Sequence, residues 1–281
     1  GGAGMATIIA RYNIATAVVI QALIVIAVLL LVIAWRERAG EKRFPWSEGC
    51  AEGPGASADF GFMTTLKELK RALSNFTTAT AILLALSFLL CEGLYDPLTT
   101  EFFVQDLGWG AERFSQAQGT WGVMGELSGA LLGGYLCDRF GRRRVAAFGM
   151  VMIMVSLLTF GLTASAWFEP GYPHVLLLPA FKGWLAFTTV SLFSLYMKMS
   201  WTQAAATQFT LYMAANNLGY ALGARLLTWF DYLNVDLDTA RYYLLAGVVP
   251  VIPILLLTRL DPGGVERKKL AEREALAPSS A

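Results

Sequence analysis

The chain has 281 residues, of which 56% are hydrophobic and 15% charged, and its mean hydropathy is +0.51; this excludes a soluble globular domain and points to a polytopic membrane protein. A formal net charge of +1, with basic blocks offset by nearby acids except at the turn of Arg139 to Arg144, argues against a nucleic-acid partner. Cys50, Cys91 and Cys137 have no metal-like spacing and His174 is the single histidine, so no cofactor, metal centre or enzymatic constellation is expected.

The chain opens on Gly1 with Met5 as its first methionine and has no basic leader, which reads as a fragment rather than a signal peptide. Residues 1–12 read as the tail of a helix. Asn13 to Trp35 is an apolar run with Gln21 as its interior polar group, long enough to cross about 30 Å of hydrocarbon. Residues 36–75 form a polar link. Within it Met63 to Ser74 sets Leu66, Leu69 and Leu73 on one side and Lys67, Glu68, Lys70 and Arg71 on the others, an amphipathic helix that either lies on the membrane or is simply solvated. Six further spans are expected at Phe76 to Tyr95, Ser115 to Cys137, Val145 to Phe168, Val175 to Met197, Ala204 to Phe230 and Tyr242 to Leu257. Residues 259–281 form a charged, then small and polar tail. The expected fold class is an all-α membrane protein of about seven spans.

Lys and Arg in the links divide unevenly: 17 fall on the side that holds the polar link, the turn at Arg139 to Arg144 and the tail, against 3 on the other side. This asymmetry places the arginine turn and the C-terminus in the cytoplasm.

Ionisable side chains inside spans mark faces turned to protein or water. Four spans carry them or a polar cluster: Glu92 and Asp96; Glu126; Lys182; and Gln208, Asn216, Asn217 and Arg225. Glu126 lies midway between Phe114 and Asp138, roughly 18 Å from each at 1.5 Å per residue, as either a hydrogen-bonded structural acid or a proton carrier. Glu92 and Asp96 share a helix face, and an ion pair from Glu92 to Lys182 is expected as an outer gate or a static strut. Arg225 can pair with Asp231 or meet an anionic solute. Gly125, Gly129 and Gly133 recur every fourth residue, as do Ala215, Gly219 and Gly223, which suits close helix packing. Pro179, Pro250 and Pro253 are expected to kink their helices.

The pattern Gly-x-x-x-Asp-Arg-x-Gly-Arg-Arg at Gly134, Asp138, Arg139, Gly141, Arg142 and Arg143 resembles the cytoplasmic loop signature of the major facilitator superfamily. The resemblance implies a partial facilitator fold: residues 1–35 as the remnant of the N-terminal bundle (end of helix five and helix six), residues 36–75 as the interdomain linker, and residues 76–258 as the C-terminal six-helix bundle. It further implies that the four charged or polar spans, helices seven, eight, ten and eleven, border a central cavity, and that the signature acts as a cytoplasmic gate in which Asp138 accepts from amides and an arginine. Ala206-Thr207-Gln208-Phe209 with Leu211, and the stretch from Cys91 to Phe103, resemble AmpG-like permeases of the peptide/acetyl-coenzyme A/drug transporter branch. That likeness implies proton-coupled uptake of a muropeptide or siderophore across a bacterial inner membrane, with the solute, protons, the bilayer and a missing N-terminal half as partners. Competing readings are a drug/proton antiporter, a non-transporting scaffold or receptor and, more distantly, a membrane acyltransferase.

Overall fold

The computed structural model describes residues 13–34, 76–200, 205–233 and 237–260. The expected N-terminal helix tail, the linker with its amphipathic helix, Cys50, the Asp231 side chain and the tail from residue 261 lie outside the described residues. The described residues form helices α1 (Ile14–Ala34), α2 (Phe76–Glu101), α3 (Ala111–Ala117), α4 (Val123–Phe140), α5 (Arg142–Leu162), α6 (Leu177–Met199), α7 (Ala205–Tyr232), α8 (Thr239–Val248) and α9 (Val251–Arg259). A π-helical turn, Gln118–Gly122, makes α3 and α4 one continuous run, and another, Phe102–Asp106, prolongs α2.

Among the described residues, five runs are long and apolar enough to cross a membrane: Ile14–Leu31, Phe76–Asp106, Arg142–Leu162, His174–Met199 and Thr239–Arg259. Two expected spans fall short on hydropathy but not on length. The run over residues 111–140 is about 45 Å long and α7 about 42 Å. They carry the two glycine stripes together with Glu126, Gln208, Asn216, Asn217 and Arg225, so their low hydropathy comes from side chains suited to a face turned away from lipid.

The glycine stripes form close helix contacts, as their spacing suits. They do not face each other: α4 lies along α6, and α7 lies along α2. A methyl added at Gly125, Gly129 or Gly133 would lie 2.5, 1.9 or 2.7 Å from the backbone of Pro179, Gly183 or Phe187, and one at Gly219 or Gly223 would lie 1.9 or 2.2 Å from the carbonyl oxygens of Leu86 or Leu90. In each pair the contacts advance in the same direction along both chains, so each pair is parallel. Small residues replace the missing hydrophobic driving force between helices in lipid by letting backbones touch. Helix α5 packs on α6 and α8, and α9 on α2 and α5, outside the two pairs.

Several boundaries differ from those expected. Helix α2 runs past Tyr95 and contains Pro97, because its end is drawn into an aromatic cluster: Phe102 meets Phe160, Trp167 and Tyr243 with ring centroids 5.5, 4.7 and 6.1 Å apart. Helix α5 begins at Arg142, since the arginines supply its first turn, and ends at Leu162 short of Phe168. Pro179 kinks nothing. It sits in the first turn of α6, where a helix has no partner for the missing N–H anyway. The last span does break, between α8 and α9 at Val249 and Pro250.

Candidate functional site: a charge triad between two helix pairs

The sequence around Glu92 builds the site. Gly93 has no side chain, and a methyl there would lie 2.1 Å from the Tyr220 carbonyl oxygen, so α7 comes against α2 at this level. The close approach brings the Tyr220 hydroxyl to donate to Asp96 Oδ2 at 3.1 Å. From the other pair, Lys182 of α6 donates to Glu92 Oε1 at 2.7 Å, and its Nζ lies 2.9 Å from Asp96 Oδ1. The side chains of Lys182, Glu92 and Asp96 are 9%, 18% and 24% exposed. Beneath the ammonium, Tyr95 of α2 stacks on Phe181 of α6 with centroids 3.6 Å apart.

One lysine thus holds two carboxylates four residues apart on one helix, where i and i+4 side chains share a face. These contacts cross the seam between the two glycine-packed pairs, which otherwise touch little. The π-helical turn Gln118–Gly122 abuts the same lysine: a methyl at Gly122 would lie 3.9 Å from Lys182 Cγ. Such turns recur at functional sites because they re-aim the helix that contains them.

The other sequence-predicted residues are distributed as follows. Glu126 is exposed. The α4–α6 register, which sets Gly125 beside Pro179 and Gly129 beside Gly183, brings it level with Lys182. Within the run over residues 111–140 it stands near the middle, as expected from the span ends. Gln208 is buried and donates to Thr78 Oγ1 at 3.2 Å and to the Tyr212 hydroxyl at 2.7 Å, tying the first turns of α2 and α7. Asn216 is buried and, among the described residues, neither of its amide atoms has a partner, whereas Asn217 and Arg225 are exposed.

At the opposite end of the bundle, Gly141 terminates α4 and begins α5 with φ of 88°, a conformation that favours glycine. Gly134 is not similarly constrained, its nearest new neighbour being Val190 Cγ1 at 3.9 Å. Arg143 donates to the Thr258 carbonyl at 2.7 Å, tying the turn to α9. Arg139 lies over the Phe140 ring at 5.7 Å. Asp138 is exposed and, among the described residues, makes no hydrogen bond or ion pair, so the amide contact expected of it is not formed. No cluster of metal-ligating side chains occurs among the described residues. Sequence reasoning missed Tyr220 and Thr78. The signal was present for Tyr220, which follows Gly219 of the stripe directly and so borders the α2 contact.

Parallel glycine-packed helices, apolar outer faces and ion-paired side chains inside the spans define a multi-pass membrane protein with a charged interior seam. The family model described as Major Facilitator Superfamily matches residues 1–224 and, overlapping these, 81–280. The chain belongs to this superfamily. It is 30% identical over 145 residues to the 3-(3-hydroxy-phenyl)propionate transporter of Escherichia coli (strain K12), an alignment covering 50% of this chain and 33% of that protein. The matched region is therefore about a third of the relative's length. No solved structure matches the chain.

Proposed function

We propose that the full-length protein is a secondary active transporter that couples the movement of a small solute to protons by alternating access, and that Glu92, Asp96 and Lys182 form its coupling site. The observation that carries this reading is the 2:1 ratio of carboxylates to ammonium across a seam between helix pairs. A net negative charge in a weakly polar interior is costly. A proton taken up by one carboxylate cancels it and releases that carboxylate from the lysine, which loosens the link between the pairs. Binding of the proton thereby biases one arrangement of the helices over another, which is what coupling requires. Glu126, level with the triad and exposed, serves as a proton donor or acceptor on the solute side.

Two solute classes divide the reading. The AmpG-like stretches favour a muropeptide or siderophore, whereas the printed name of the relative favours an aromatic carboxylic acid, a class for which Arg225 and the amides of Asn216 and Asn217 supply donors. We place the arginine turn and the C-terminus on the cytoplasmic side of a bacterial inner membrane, as the 17 to 3 division of Lys and Arg supports.

The test is uptake into proteoliposomes holding the full-length protein under an imposed pH gradient, with 3-(3-hydroxyphenyl)propionate, an anhydro-muropeptide and a ferric siderophore as solutes. Glu92→Gln is expected to abolish gradient-driven accumulation while leaving solute exchange in place. Accumulation unchanged in that variant removes the triad from coupling, and failure of all three solutes removes the solute classes.

A further inference from the structure

Building on the coupling role proposed for the triad, we infer that Tyr220 is a positioning residue: its hydroxyl holds Asp96 beside Lys182 as the standing anion, which leaves Glu92 as the carboxylate that takes up the proton. The two carboxylates are not equivalent. Asp96 meets a proton-bearing group at each oxygen, since Lys182 Nζ lies 2.9 Å from Oδ1 and the Tyr220 hydroxyl donates to Oδ2 at 3.1 Å. Glu92 accepts from Lys182 at Oε1 and, among the described residues, makes no other hydrogen bond. Donors aimed at a carboxylate favour its charged form. A proton arriving at Asp96 must turn the Tyr220 donor away, whereas at Glu92 it finds Oε2 uncommitted.

The surroundings add to the asymmetry. Asp96 and Tyr220 line a groove of about 520 Å³ together with Thr100, Glu101 and Gln105, and Glu92 lies outside it. Water in such a groove solvates a charge on Asp96. The other titratable groups facing the two carboxylates are Lys182 from α6, Glu126 from α4, and Cys91 and Tyr95 from α2 itself. Glu126 acts on Glu92 as a like charge, so a proton on Glu92 also relieves that repulsion. In the step itself hydronium gives up the proton, one O–H bond forms at Glu92 Oε2 and water is left; release runs the same step backwards.

The test is infrared difference spectroscopy of the full-length protein in nanodiscs, acidified from neutral pH, with either Glu or Asp isotopically labelled at the side-chain carboxyl. The protonated-carboxyl band is expected to move with labelled Glu and not with labelled Asp, and to be lost in Glu92→Gln. If that variant fails to fold, the labelled parent decides. Tyr220→Phe keeps the ring and removes only the donor; it is expected to bring in a component that moves with labelled Asp, which a purely structural tyrosine would not do. Thermal unfolding verifies that this variant is folded. A parent band that moves with labelled Asp, or a Glu band that survives in Glu92→Gln, overturns the assignment, while the triad's part in coupling is judged separately by accumulation in proteoliposomes. A Tyr220→Phe spectrum identical to the parent's overturns the role of Tyr220. Absence of any carboxyl band overturns the assignment and the coupling site with it.

Discussion

Replacing Lys182 by Met removes the ammonium that Glu92 and Asp96 share while keeping most of its volume. Breaking a fully buried pair costs about 3–5 kcal/mol. Here the three side chains keep 9%, 18% and 24% of their exposure, and water at the seam screens part of the loss, so the expected cost is roughly 2–3 kcal/mol. For a bundle of this size, each kcal/mol moves the thermal midpoint by about 2–4 °C, which gives a drop of roughly 4–12 °C. The assay is thermal unfolding in nanodiscs followed by tryptophan fluorescence at one scan rate. Most of the loss arises from two carboxylates left facing each other, so adding Glu92→Gln to Lys182→Met should recover at least about half of the drop. A midpoint within 2 °C of the parent would refute the triad as a link between the helix pairs. A double variant no better than Lys182→Met alone would show that the lost packing of the lysine stem, rather than charge, sets the cost.

Four further outcomes follow from particular contacts. Gly129→Ala puts a methyl 1.9 Å from the Gly183 carbonyl oxygen and should lower the midpoint by an amount typical of overpacking, about 1–3 kcal/mol, while Gly134→Ala, with its nearest atom at 3.9 Å, should leave it unchanged. Gly141→Ala has open space around it but a φ of 88°, so it should cost about 1–3 kcal/mol through backbone strain alone, read in the same unfolding assay. Asn216→Leu should stabilise the bundle by roughly 1 kcal/mol and so raise the midpoint, because it removes two buried polar atoms without partners among the described residues; a lowered midpoint would show that the amide is bonded in the membrane. Glu126→Gln should leave the midpoint alone but slow proton-driven accumulation in proteoliposomes, since the side chain is exposed and bears no structural bond among the described residues.

The sequence announces most of the helices because burial in lipid demands long apolar runs and a turn that must be charged, and these are periodic, local signals. The Glu92 to Lys182 contact was also legible, from depth matched against helix rise. Three things were not. The ends of α2 and α5 are decided by an aromatic cluster assembled from segments as distant as Phe102 and Tyr243, which no local window contains. The partners of the glycine stripes depend on which backbone each stripe meets, and small-residue spacing says only that some backbone comes close. Asp96 as a second ligand of Lys182, and Tyr220 as its anchor, depend on Gly93 letting α7 approach, a fact about three dimensions written in a residue with no side chain.

The two modes of contact in this bundle have different mechanical consequences. Within each pair the helices meet backbone to backbone along about two turns, so closely that a methyl at Gly129 or Gly219 would lie 1.9 Å from the facing carbonyl oxygen, and each pair moves as a unit. Between the pairs, the join at the level of Glu92 consists of a lysine with four rotatable bonds, two carboxylates and one stacked ring pair, Tyr95 on Phe181. A flexible ammonium can follow its carboxylates over a few ångströms or exchange one for another, which a glycine seam cannot do. The same element that carries charge is therefore the one that yields, and protonation and helix movement act on a single set of side chains. If the join were instead apolar and interlocked, a proton at Glu92 would change the charge of the interior without changing which helices hold together, and coupling would need a second device elsewhere in the bundle.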